Sequence, residues 1–270
     1  MACSPCNAFL IFMVLGFILL IWHAVLLAAV SSTTQATGRT WNPDPAVVAE
    51  HEANRPGYIW DESKVPPYTL PDALEAEDGT RIRNAQQWVQ TRRPQTLAMF
   101  EQHVFGRSPG KPQLEFEILE TDAAAMDAKA TRKRVRITAT LDGKSFAFEA
   151  SALIPNNASG PVPAFLLINN RSVKVADPTR TDRSGFWPAE EIVARGYAAV
   201  VVRTSDIDPD KDGPEARAAG VRGAIPGPGR DGQDNWATIA AWAWGACRVL
   251  DWMETEPAID ARRVAVIGHS

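Results

Sequence analysis

The sequence has few cysteines. It contains Cys3, Cys6 and Cys247. Cys3 and Cys6 form a C-x-x-C pair, but no second pair is present in the sequence to complete a zinc site. Cys247 lies in an apolar helical stretch and is predicted to be a small buried side chain. We therefore expect no structural disulfide, and we assign neither a metal nor a cofactor.

A block of like charge is also missing. Lysine and arginine number 28 and aspartate and glutamate 32, so the net charge is −4, with both signs interspersed. A nucleic-acid-binding protein usually shows a basic stripe or patch. Nucleic acid is therefore not an expected partner.

There is one long hydrophobic run, residues 8–30, which only Gly16 and His23 interrupt. It is about as long as a membrane-spanning helix, which needs about 20 residues. Two interpretations stay open: a signal peptide cut near Ser31 or Ala36, or an uncleaved helical membrane anchor. No Lys or Arg precedes the run, which suits neither interpretation well. Both predict a secreted or periplasmic location, or one on the outer face of a membrane.

The chain as a whole has the composition of a globular protein, with 45% hydrophobic residues and 22% charged residues. We divide it into the signal or anchor (residues 1–36), an irregular linker (residues 37–64) and one domain (residues 65–270). The tryptophans, 9 in all, are expected in the core rather than on a sugar-binding surface.

Hydrophobic periodicity predicts an α/β domain. Helical signals cover residues 86–105, where we expect a helix to open at Thr91-Arg92-Arg93-Pro94 with Pro94 at its first position. Helices are also predicted at residues 187–195 and 236–255. Strands are predicted at residues 114–121, 132–141, 145–154, 162–168, 197–202 and 263–268. Asp142-Gly143 should join the second and third strands as a hairpin. The helix at residues 236–255 is apolar on most of its surface, so it should be buried against the last strand.

The last strand leads into the candidate nucleophile. A turn is predicted at residues 260–263, then a buried strand, and then Gly268-His269-Ser270, the first half of the G-x-S-x-G nucleophile elbow of an α/β-hydrolase. A serine hydroxyl needs a sharp, crowded turn to face both base and substrate, and Gly268 would permit that crowding. The alternative is an ordinary Gly-Ser turn. We interpret the sequence as the front part of a longer enzyme, inactive by itself, whose acid and base follow Ser270.

Two polar loops follow the other predicted parallel strands. Asn169 and Asn170 come after residues 162–168, where α/β-hydrolases place an oxyanion-hole N–H, although an ordinary polar loop is equally compatible with the pattern. From Asp208 the spacing imitates a calcium loop, but its twelfth position is Ala219 instead of glutamate. We therefore interpret that segment as part of the active-site rim.

Several segments together resemble bacterial glucuronoyl esterases (4-O-methyl-glucuronoyl methylesterases). The resemblance covers about residues 65–270, and its motifs are Arg92-Arg93-Pro94, the stretches 187–197 and 236–245, and residues 260–270. It implies an α/β-hydrolase three-layer sandwich, here the front half of the sheet, and Ser270 as nucleophile of a metal-free Ser-His-acid triad. His269 stands where one family version of the elbow has cysteine.

The resemblance implies hydrolysis of ester bonds in glucuronoxylan or between xylan and lignin alcohols. Two alternatives stay open. One is another carbohydrate esterase, such as a xylan acetyl esterase. The other is a non-catalytic, membrane-tethered carbohydrate-binding protein, which the elbow motif disfavours. We do not cast His269 as the base, because its side chain should point away from the nucleophile.

Overall fold

The computed structural model describes residues 44–211, 213–228 and 235–269. The apolar run at residues 8–30 and the candidate nucleophile Ser270 lie outside the described residues. The chain divides into two compact units, residues 1–70 and 71–270. The domain boundaries drawn from the sequence, after residues 36 and 64, stay predictions.

The described part of the first unit begins with a helix. Asp44 accepts a hydrogen bond from the Ala46 backbone N–H at 2.9 Å. Together with Pro45 in the first turn, this cap starts helix α1 (Pro45–Asn54). A short 3₁₀ turn follows at Glu62–Lys64. The irregular structure predicted for residues 37–64 is therefore wrong over α1, because the Asp-Pro start signal outweighs the surrounding prolines.

The second unit is built on a mixed sheet. Its strands are β1 (Gln113–Asp122), β2 (Ala130–Leu141), β3 (Lys144–Pro155), β4 (Val162–Asn169), β5 (Ala198–Arg203) and β6 (Ile259–Ile267). The 6-stranded sheet has the order β1-β2-β3-β5-β4-β6. The strands β1, β2, β3 and β5 pair antiparallel in that order, whereas β4 runs parallel to both β5 and β6. The predicted parallel α/β arrangement is confirmed for β4, β5 and β6.

The predicted hairpin is confirmed as well. Asp142 and Gly143 have φ angles of 51° and 75°, the left-handed backbone that a two-residue hairpin turn requires. This turn sets the register of β2 against β3, from Leu141 opposite Lys144 to Ala130 opposite Pro155. A second left-handed turn, at Ala125–Ala128, leads from β1 into β2.

Helices cover both faces of the sheet. The helical segments are α2 (Ala85–Gln87, Trp88–Arg92, Arg93–Phe100 and Glu101–Phe105), α3 (Ala189–Ala194), α4 (Thr204–Ile207), α5 (Pro214–Ala219), α6 (Val221–Ala224) and α7 (Thr238–Met253). Along β5, Val200 and Val202 belong to the core cluster that includes Trp244 of α7, whereas Ala199 and Val201 belong to the cluster that includes Val193 of α3. This alternation gives helix, sheet and helix layers and confirms the predicted three-layer fold.

Segment α2 begins earlier than expected. Asn84 caps it by accepting a hydrogen bond from the Gln87 N–H at 2.9 Å. Pro94, predicted in the first turn, therefore lies inside the segment. A wider π turn at Trp88–Arg92 precedes it, with the Arg93 N–H bonded to the Trp88 carbonyl. Such a turn accommodates a proline that lacks an N–H. Gly106, at φ 71°, ends the segment as predicted.

Helix α7 is buried on one side only. Trp244, Val249 and Trp252 are buried, as are Trp187 and Trp236 outside the helix. The prediction of core tryptophans is confirmed for these four tryptophans. Ile239 is 58% exposed and Cys247 is exposed, so the prediction of a buried cysteine is wrong. Both side chains line an open groove toward α2, which periodicity cannot distinguish from a core contact.

Strand β6 differs from its prediction in two ways. Residues 260–263, expected as a turn, lie within the strand, where a register shift separates the Val162–Ile259 pair from the Ala164–Val264 pair. The strand was also expected to be buried, yet Val266 is 55% exposed. Among the described residues β6 pairs with β4 alone, so its outer edge carries no neighbouring strand. In the part of the chain that the structure describes, no helix is long and apolar enough to span a bilayer.

Candidate active site

The candidate site lies at the carboxyl ends of β4 and β6. These strands run parallel and pair from Ala164 opposite Val264 to Leu167 opposite Ile267. The loop after β4 and the elbow after β6 therefore emerge side by side. Crowding was expected at Gly268, but a Cβ built there meets no atom within 4 Å. Among the described residues, close packing of the backbone therefore does not explain why a glycine stands at position 268.

Asn170 joins the two loops. Its side-chain Nδ2 donates a hydrogen bond to the backbone carbonyl of His269 at 2.7 Å. The residue directly after His269 is Ser270, which lies outside the described residues. The β4 loop and the elbow thus meet, as the α/β-hydrolase interpretation requires. The role of Asn170 in an oxyanion hole stays a prediction.

Asn169 is oriented differently. It is 1% exposed. Its Oδ1 accepts a hydrogen bond from the Arg171 N–H at 3.0 Å, and its Nδ2 lies 3.5 Å from the Ser172 carbonyl. The Asn169 carboxamide therefore holds its own loop, in the manner of an Asx turn, and its side chain is directed at neighbouring backbone atoms. Its predicted oxyanion role also stays untested.

Arg171, Phe186 and His269 form a cluster beside the elbow. Arg171 Nη2 lies 3.1 Å from His269 Nδ1, and the Arg171 guanidinium stands 5.8 Å from the centre of the Phe186 ring. The rings of Phe186 and His269 meet edge to face at 5.5 Å. Because a guanidinium only donates hydrogen bonds, Arg171 is the donor in this contact.

The His269 side chain thus contacts Arg171 and Phe186. Because Ser270 lies outside the described residues, the exclusion of His269 as the base stays a prediction. Phe186 was not singled out from the sequence. It lies in a turn directly before the predicted helix at residues 187–195, so no periodicity marks it.

Asp208, where the calcium-like spacing begins, is fully buried and paired with a cation. Its Oδ2 accepts hydrogen bonds from Arg222 Nε at 2.8 Å and Nη2 at 2.7 Å. Trp242 Nε1 donates to the Asp208 backbone carbonyl at 2.8 Å. Asp212, the third acid of the spacing, lies outside the described residues. Asp208 therefore anchors the segment after α4 by an internal ion pair.

A second ion pair holds the loop that carries Phe186. Arg180 is buried and binds Glu190 with Nε at 2.9 Å and Nη2 at 2.8 Å. These hydrogen bonds from Arg180 hold the pKa of the Glu190 carboxyl below its usual value, against the opposing effect of burial. Over residues 44–211, 213–228 and 235–269, no three His, Cys, Asp or Glu residues are grouped to hold a metal ion.

The fold and the meeting of these two loops define an α/β-hydrolase. No family model matches the chain. A curated carbohydrate esterase, MZ0003 from an unknown prokaryotic organism, is 32% identical over 87% of this chain and 59% of its own length. A solved glucuronoyl esterase from Solibacter usitatus superposes with a TM-score of 0.68 at 31% identity, covering 77% of this chain and 59% of that one.

Proteins similar to this chain include further glucuronoyl esterases and a promiscuous esterase of carbohydrate esterase family 15 from a marine bacterial metagenome, which superposes with a TM-score of 0.64 at 29% identity. They include 4-O-methyl-glucuronoyl methylesterase 1 of Phanerochaete chrysosporium, 27% identical over 74% of this chain and 37% of that enzyme. The resemblance seen in the sequence is confirmed. The chain spans 59% of the length of both MZ0003 and the Solibacter usitatus enzyme.

Proposed function

We propose that the complete gene product is a serine-type carboxylic ester hydrolase that acts on glucuronoyl esters of plant cell-wall xylan. One observation carries the proposal: the Asn170 amide reaches the His269 carbonyl at 2.7 Å, which joins the β4 loop to the elbow that leads into Ser270. The relatives support glucuronoyl esters as the substrate class, since one is a carbohydrate esterase and others are named as glucuronoyl esterases.

In this mechanism Ser270 Oγ attacks the ester carbonyl carbon and its proton passes to a base. The carbonyl oxygen becomes an oxyanion, which donors in the loop at Asn169 and Asn170 stabilise. Collapse of the tetrahedral intermediate releases the alcohol and leaves an acyl group on Ser270, and water then releases the glucuronic acid. The base and the acid of the triad are not assigned among the described residues.

The substrate class is tested by comparing two esters. Wild-type complete gene product should hydrolyse benzyl or methyl glucuronate faster than acetylated xylan. A marked preference for acetylated xylan would instead assign the enzyme to the acetyl esterases. Binding of xylan without hydrolysis of either ester would favour the non-catalytic alternative.

We also propose that residues 1–36 export the protein, so that it acts outside the cytoplasm or on the outer face of a membrane. Support comes from the length of the apolar run at residues 8–30, which suits a signal peptide or an anchor. Deleting residues 1–36 should retain the protein in the cytoplasm, as measured by cell fractionation. Unchanged export of the deletion variant would contradict this proposal.

A further inference from the structure

A buried hydroxyl ties β5 to the loop that carries Asn170. The paired residues of β4 and β5 end at Asn169 and Arg203. The next residue, Thr204, begins α4, and its Oγ1 donates a hydrogen bond to the Asn169 carbonyl at 3.3 Å. Thr204 is 5% exposed and Asn169 is 1% exposed. The Thr204 hydroxyl therefore adds a side-chain hydrogen bond between β4 and the residue after β5, just beyond the last backbone pair of the two strands.

Hydrogen bonds of Asn169 hold the backbone in place on both sides of Asn170. The Asn169 carbonyl is held by Thr204, and its side-chain Oδ1 holds the Arg171 N–H at 3.0 Å. Asn170 lies between these two fixed points, and its amide reaches the His269 carbonyl. A shift of Asn169 would thus move Asn170 relative to the elbow.

Thr204 is itself held from the other side. Its backbone carbonyl accepts a hydrogen bond from the Asp208 N–H at 2.9 Å, so the first turn of α4 ends on Asp208. Asp208 in turn is fixed by the ion pair with Arg222. The hydroxyl therefore projects from a rigid support toward Asn169.

We propose that Thr204 is a positioning residue for the oxyanion loop and acts through Asn169. Its hydroxyl lies behind the loop and contacts the Asn169 backbone carbonyl. The inference rests on the proposed function, because its catalytic consequence requires that the loop stabilise an oxyanion. Donors in such a loop act by being fixed before the reaction, so a small displacement lowers kcat more than it weakens substrate binding.

The catalytic test uses two substitutions at one position. Thr204→Val keeps the shape of the side chain and removes the donor, whereas Thr204→Ser keeps the hydroxyl. Because 3.3 Å is long for a hydroxyl-to-carbonyl hydrogen bond, we expect a modest effect. With benzyl glucuronate and the complete gene product, Thr204→Val should lower kcat about fivefold with KM changed less than about twofold. Thr204→Ser should restore most of kcat.

Thr255→Val is the matched control. The Thr255 hydroxyl also donates to a backbone carbonyl, that of Trp252 at 2.7 Å, but at the end of α7. This variant should lose stability while kcat stays within about twofold of wild type. An equal fall of kcat in both valine variants, or an unchanged kcat in Thr204→Val, would overturn the positioning role.

A second measurement does not depend on the substrate. The Arg171 backbone N–H donates a hydrogen bond to Asn169 Oδ1. Hydrogen exchange of this amide should be faster in Thr204→Val than in wild type and in Thr255→Val. Unchanged exchange would contradict the inference. If wild type hydrolyses no glucuronate ester, the proposed function fails, and the exchange result still decides whether Thr204 holds the loop.

Discussion

Asp208 shows how the partners of a residue decide its role. Its carboxylate is fully buried and bonded to Arg222 through Oδ2, while Oδ1 is buried without a hydrogen-bond partner in the described structure. Burying a carboxylate costs desolvation free energy, and this cost is offset only while the carboxylate keeps its cationic partner. Arg222 is therefore required to stabilise the segment that follows α4.

Replacing Arg222 with methionine should leave Asp208 buried and uncompensated. We expect Arg222→Met to lower the free energy of unfolding by about 3–5 kcal/mol, measured by urea denaturation. The matched control is Arg195→Met, because Arg195 is 74% exposed and lies 3.8 Å from Glu191. That variant should change stability by less than about 0.5 kcal/mol. Similar losses in both variants would contradict a special role of the buried pair.

Glu190 should make stability depend on acid pH. Hydrogen bonds from Arg180 lower the pKa of Glu190 in the folded protein. Its contribution to stability is therefore present above its ordinary unfolded pKa and is lost as pH falls through the lowered folded pKa. Wild type should exceed Glu190→Gln in Tm near neutral pH, and the difference should shrink as the pH falls through the lowered folded pKa.

Glu191→Gln provides the control for this pH profile. Glu191 is on the same helix, and its side chain is 72% exposed. The Glu191→Gln profile should run parallel to that of wild type. A constant Tm difference between wild type and Glu190→Gln at all pH values would show that Glu190 acts without its charge.

At the scale of elements, the strands and the hairpin could be predicted because local signals determine them. Asp142-Gly143 and the apolar runs of β4 and β5 are such signals. The start of α2 was misplaced because Pro94 looks like a first-turn proline, whereas a π turn accommodates it inside the helix. The exposure of Cys247 could not be predicted, since the periodicity of α7 does not reveal which of its apolar faces meets the sheet.

The candidate site was predictable only in part, for a related reason. The loop at Asn169 and Asn170 and the elbow follow parallel strands, so their placement near each other follows from strand order. The contacts of Arg171 with His269 and Phe186, and of Thr204 with Asn169, join residues distant in sequence. No spacing in the sequence marks them.

The end of α2 offers a test of local backbone geometry. Gly106 and Gly143 both have positive φ angles, 71° and 75°. A Cβ at Gly106 would collide with the backbone of Asn235 and Trp236, whereas one at Gly143 meets no atom within 4 Å. Gly143→Ala should cost about 1 kcal/mol from backbone strain alone. Gly106→Ala should cost roughly 3 kcal/mol in urea unfolding, because overpacking adds to that strain. Equal costs would show that the close contact relaxes without penalty.

At the scale of the whole molecule, the order of the strands in the sheet brings the parts of the candidate site together. Because β6 lies beside β4, the elbow reaches the loop at Asn170, while β5 supports that loop from the other side through Thr204. The same fold is found in the glucuronoyl esterase of Solibacter usitatus. We propose that this junction is a catalytic site with Ser270 as its nucleophile.

The most direct test is the turnover of Ser270→Ala in the complete gene product with benzyl glucuronate as substrate. We expect Ser270→Ala to fold with the circular dichroism spectrum of wild type. Its kcat should be lower than that of wild type by about 10⁶-fold, as for other triad nucleophiles. Ser145→Ala, which removes an exposed hydroxyl that bonds Thr140 in the hairpin, should keep wild-type turnover. Near-normal turnover by Ser270→Ala would contradict the assignment of Ser270 as the nucleophile.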